Sequence, residues 1–121
     1  MLSIQHIYFA DHQSFDDFEF KNSDYFVLTV YLTLGDEKGN SLFYFDVTND
    51  YYPSSDHIII KDYEVYFRKK AEFVMKDFDK YILLNFINAL IKENSIDKNE
   101  NEISNSLSKY FHWEFDNYIP Q

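Results

Sequence analysis

Hydrophobic positions recur at every second residue in YFVLTVYLTL (25–34). Phe26, Leu28, Val30, Leu32 and Leu34 fall on one side, and Tyr25, Thr29, Tyr31 and Thr33 on the other. A period of two marks a β-strand with one buried face. The polar stretch GDEKGN (35–40) holds both glycines of the chain, and SLFYFDVT (41–48) resumes the alternation with Phe43, Phe45 and Val47 inward. The two runs predict a β-hairpin with a connection of about six residues. Upstream, the β-formers Ile4, Ile7, Tyr8 and Phe9 predict a short strand over 3–10. Residues 11–24 alternate acids with phenylalanines between Asx-rich ends, which predicts a loop with a short edge strand at 17–20.

NDYYPSSD (49–56) reads as a loop, because Pro53 cannot donate to a sheet ladder. IIIKDYEVYF reads equally as one strand or as an irregular passage. The basic run Arg68, Lys69, Lys70 then leads into AEFVMK, a further strand with Phe73 and Met75 inward. From residue 79 the period changes. Leu83, Phe86, Ile87 and Leu90 share one side of a helix over 79–93, capped by Asp77 or Asp79, with Asn85, Asn88 and Lys92 opposite. After the polar SIDKNENE, EISNSLSKYF (102–111) predicts a second, shorter helix with Ile103, Leu107, Tyr110 and Phe111 along one side. Trp113 follows at once. Alternation 111-113-115 predicts a short strand in which Trp113 and Phe115 turn inward and close the core, while Glu114 and Asp116 point out. Sheet first and helices last predicts an α+β fold: one antiparallel sheet with two helices packed on one face, both in the C-terminal half.

Length and composition narrow this picture. The chain has 121 residues, enough for one domain (1–121) and too few for two ordinary ones. Aromatic residues supply 21%, and only 2 Gly and 2 Pro punctuate the chain, which favours fewer, longer elements over a many-stranded sandwich. The lack of cysteine excludes disulfides, thiolate nucleophiles and cysteine-based metal sites. MLSIQHIYFA lacks the cationic start of a signal peptide, and no apolar run approaches the roughly 20 residues of a bilayer span. The expectation is a soluble cytoplasmic protein that neither binds nor crosses a membrane.

Net charge changes the picture more. At −10 the chain repels phosphate backbones, which disfavours nucleic acid as a partner and suits a basic protein. No catalytic constellation emerges. His6, His12, His57 and His112 show no helical zinc spacing and read as partly exposed residues at element ends. Two glycines cannot build a phosphate cradle, and no nucleophile elbow is present. The clusters Asp16, Asp17, Glu19 and Asp62, Glu64 are the acids open to an enzymatic reading; neither is accompanied by an acid-x-Lys motif on a predicted strand. The expectation is no enzyme, no cofactor and no metal. Arg68, Lys69 and Lys70 read as a solvated loop rather than an RNA-binding stripe. What remains is surface tyrosine beside acid, at Tyr44, Tyr51, Tyr52, Tyr63, Tyr66 and Tyr118, suited either to anchoring a partner or to covering the outer sheet face.

The hairpin LTVYLTLGDEKGNSLFYFDVT together with the ending LSKYFHWEFDNY resembles the immunity protein 8 family. The likeness covers 25–48, 72–92 and 103–118. Gly35 closing the first strand, Phe43 or Phe45 in the second and the Trp-Glu-Phe-Asp run at 113–116 carry it. The resemblance implies stoichiometric inhibition: a small bacterial protein binding the cognate toxin domain of a polymorphic or contact-dependent growth inhibition system. Many such toxins are nucleases with basic clefts. Since 50–70 departs most from the family, and specificity resides on loops held by a scaffold, Asp50, Tyr51, Tyr52 and Asp56 are the expected toxin contacts, joined by Asp16, Asp17 and Glu19. The rival readings are an acidic interaction module or nucleic-acid mimic, and a small hydrolase built on Asp62, Glu64 and a histidine. Oligomeric state has no signal in the sequence.

Overall fold

Backbone pairing depends on extended conformation, not on side-chain polarity, and this shapes the central hairpin. The computed structural model describes residues 3–9, 13–19, 25–36, 39–49, 57–60 and 65–114. Strands β1 (Ser3–Phe9), β2 (Gln13–Ser14), β3 (Val27–Asp36), β4 (Gly39–Thr48), β5 (His57–Ile60), β6 (Val65–Lys69), β7 (Glu72–Val74) and β8 (His112–Trp113) accompany helices α1 (Lys80–Glu93) and α2 (Glu100–Leu107). The fold is α+β as expected. In the hairpin, however, pairing continues through Gly35↔Asn40 and Asp36↔Gly39, so Glu37 and Lys38 alone separate the strands, not about six residues. The polar residues at the tip take part in the ladder through their main chains.

The strand order is β2-β1-β3-β4-β7-β6-β5, with β8 also on β4. Among the described residues all strand pairs are antiparallel except one: β7 runs parallel to β4 through Asp46↔Glu72, Val47↔Phe73 and Thr48↔Val74. The sheet is thus mostly antiparallel, in line with the expectation, with one parallel contact that the sequence did not suggest. The chain enters β5 in the direction of β4, and two antiparallel steps then bring β7 beside β4 pointing the same way. The first half of β4 is left for β8, which pairs at Phe43↔Trp113 and Tyr44↔His112. The stretch 58–67, open between one strand and an irregular passage, contains most of β5 and the start of β6. The edge strand expected at 17–20 is instead β2 at Gln13–Ser14. Residues 15–17 turn, and Phe18 leaves the edge to stack on Phe9 at 4.1 Å, 8% exposed. Burial of an aromatic ring outweighs one more rung of edge pairing.

Asp79, not Asp77, caps α1: its Oδ1 accepts from the N–H groups of Tyr81 (2.9 Å) and Ile82 (3.1 Å). Leu83, Phe86, Ile87, Leu90 and Ile91 are its buried residues. Helix α2 begins earlier than its apolar pattern suggests because Asn99 and Glu102 form a reciprocal capping box. It ends at Leu107, so Tyr110 and Phe111 lie beyond it, the latter through an N–H bond to Leu107 O at 2.9 Å. Both helices join the core on the inner face of the sheet: Phe86 of α1 meets Phe73 edge-on at 5.4 Å, Ile103 and Leu107 of α2 are buried in the same cluster, and Phe111 just beyond α2 stacks on Phe45 at 4.8 Å. Phe73 and Met75 are both buried, as their alternation predicts.

Candidate functional site

With both helices on the inner face, two features stand on the rest of the surface. The first is the turn after β2. Ser14 Oγ donates to Asp17 Oδ2 (2.9 Å) and accepts from the Asp17 N–H (3.2 Å), closing a small polar ring. Phe15 and Phe18 point toward the core, which leaves Asp16, Asp17 and Glu19 exposed together. Lys80, at the first position of α1, holds this turn from below. Its Nζ donates to the carbonyls of Phe15 (2.9 Å), Asp16 (3.3 Å) and Phe18 (3.1 Å), and sits 5.1 Å from the Phe15 ring centroid. Between turn and helix lies an open depression of about 450 Å³, lined by Phe18, Glu19, Phe78, Asp79, Lys80 and Tyr81. Its Asp79 is engaged in capping and its Lys80 in anchoring, so these two serve structure and Glu19 is the remaining charged group there.

The second feature crosses the outer face of the sheet. Register places Tyr8 opposite Tyr31, Tyr31 opposite Tyr44, and Tyr44 opposite His112. Directly paired residues point to the same side, so the four rings form one row over β1, β3, β4 and β8. Tyr8 and Tyr31 stack at 5.4 Å and 14°, Tyr31 and Tyr44 lie 6.1 Å apart, and Tyr44 and His112 5.0 Å apart. Tyr44 is 38% exposed. The row ends on the acidic turn, because Tyr8 pairs on its other side with Ser14. Asp46 flanks it and accepts from Thr29 Oγ1 at 2.7 Å. At the far end Glu114 Oε1 accepts from the Leu42 N–H at 3.0 Å.

Of the residues expected to meet a partner, Asp16, Asp17 and Glu19 are thus gathered on one held turn. Asp50, Tyr51, Tyr52 and Asp56 lie outside the described residues, as do Asp62, Glu64, Tyr63, Tyr118 and Phe115. Tyr8, Tyr31 and His112 were not singled out by sequence. Alternation already put Tyr31 on the outer side, but lining it up with its neighbours takes the register of four strands. Trp113 stacks on Phe43 at 6.1 Å and 10° and packs on the core, Phe43 and Phe45 are buried, and Gly35 is buried in β3. Arg68 and Lys69 both pair with Glu72, at 2.9 and 3.3 Å, at the end of the β6–β7 hairpin. His6 and His112 are exposed. Among the described residues no three acids and histidines are grouped so as to hold a metal ion. Likewise no helix among them is long and apolar enough to cross a membrane.

Compared with known families, residues 2–118 match the family model described as Immunity protein 8. The match includes 11–24 and 50–70, where the sequence likeness fades. No curated protein and no solved structure matches.

Proposed function

Because the chain belongs to the immunity protein 8 family, we propose that it protects a bacterial cell by binding a cognate toxin domain and neutralising it without catalysis. The family match over 2–118 carries the reading. In finer terms, the toxin belongs to a contact-dependent growth inhibition or related polymorphic system, acts in the cytoplasm, and is a basic nuclease. A net charge of −10 supports the basic partner, since opposite fields speed encounter and favour docking. The exposed acids on the turn held by Lys80 support it further, because a fixed carboxylate meets a cation with little ordering cost. The loop residues Asp50, Tyr51, Tyr52 and Asp56 join them in this reading, supplying variable contacts on a constant scaffold.

Expression of a candidate cognate toxin domain, sought among the genes beside this one, tests it. Cells making the toxin domain alone should stop growing, and co-expression of this protein should restore growth. Continued arrest with both proteins soluble and abundant would refute the proposal.

A further inference from the structure

We infer that the outer row Tyr8–Tyr31–Tyr44–His112 is the centre of the toxin-binding interface and takes an arginine-bearing basic surface of the toxin domain. The inference rests on the immunity reading and adds to it the surface and the chemistry that recognises the partner.

Protein interfaces place aromatic anchors at the centre and charge at the rim, and this face has that layout. Four spacings between adjacent strands carry the row from Ser14 to His112 over about 19 Å. Each ring leans on the next at 5.0 to 6.1 Å, so the rings are ordered before any partner arrives. Tyrosine offers large contact area with few rotamers to freeze, and prior stacking lowers that cost again. Charge selects the occupant. Asp16, Asp17 and Glu19 stand at one end, Asp46 lies beside the row and Glu114 lies beside His112. An arginine stacks its flat guanidinium on a tyrosine face while its fork engages a neighbouring carboxylate. A second copy of this chain fits poorly, since each carries −10 and would bring the same acids toward its twin.

The test measures affinity for the toxin domain that this protein neutralises in the growth assay by calorimetry, for wild type, Tyr44→Lys, the double variant Tyr31→Ala/Tyr44→Ala, and Asn88→Ala on the solvent side of α1. Circular dichroism melts confirm folding; Tyr44→Lys alters an exposed position and keeps the test open should the double variant unfold. Both row variants should bind at least about 30-fold more weakly, the size of an interface hot spot, with Asn88→Ala unchanged. Wild-type affinity in a folded row variant would overturn the inference while leaving the immunity reading intact. No complex with wild type would remove the immunity reading and this inference with it. Row variants that change self-association in sedimentation, yet keep toxin affinity, would make the row a contact between copies and overturn it as well.

Discussion

Lys80 sits where helix electrostatics disfavours it: a cation in the first turn faces the positive end of the α1 dipole. Three carbonyls of the acidic turn offset that cost, so the residue serves the turn rather than the helix. Replacing it with methionine keeps the stem and deletes the donors. Lys80→Met is expected to cost about 2 kcal/mol, the scale of hydrogen bonds to a charged group, and to speed amide exchange at Phe18. A denaturation midpoint and exchange rates matching wild type would contradict this. Trp113 plays a different part. It packs against the core from β8, stacked on Phe43 and two residues after Phe111, which is 1% exposed. Trp113→Ala should cost about 3 kcal/mol, the lower end for a large aromatic because the indole is only partly buried. A melt unchanged from wild type, with toxin binding lost, would instead make Trp113 a contact.

Among the elements, β4 is shared by three neighbours, and its free edge is divided between β7 and β8. Ending the chain after Phe111 would strip β8 from that edge, remove both bonds between Leu42 and Glu114, and take His112 from the outer row. Such a truncation should lower the melting temperature by roughly 10 °C or more, given about 4–8 °C per kcal/mol in small domains. A scanning calorimetry trace overlapping that of the full chain would show that β8 is dispensable. The hairpin β3–β4, helix α1 and the short strand at Trp113 were legible in sequence because each follows from local periodicity or an adjacent cap. What was not legible depends on distant pairing. The parallel β4–β7 contact reflects a chain reversal, β2 is a two-residue bridge fixed by its partner β1, and the aromatic row exists only through register. The acids at 16–19 were readable as a cluster, but Lys80, which holds their turn, lies more than sixty positions away. Few glycines and prolines suggested few long elements, and they miss strands this short.

At the scale of the whole molecule, the proposed basic partner makes net charge the feature to test. With −10 overall, association with a basic toxin domain should be fastest in dilute salt and slow as ions screen the field. The triple variant Asp16→Asn/Asp17→Asn/Glu19→Gln keeps the Asp17 acceptor for Ser14 while removing three charges. Its association rate should fall by about 10-fold at low salt and converge on wild type at high salt, with dissociation little altered. Stopped-flow traces parallel to wild type at every salt concentration would place the steering charge elsewhere on the surface. Beyond rate lies the claim on which all of this depends, that the protein acts by occupying a toxin rather than by turning anything over. Titrating it into a fixed amount of the active cognate toxin domain measures that directly. Activity should fall in proportion to added protein and vanish at an equimolar ratio; activity that persists at large excess, or that disappears at a small catalytic fraction, would rule out stoichiometric inhibition.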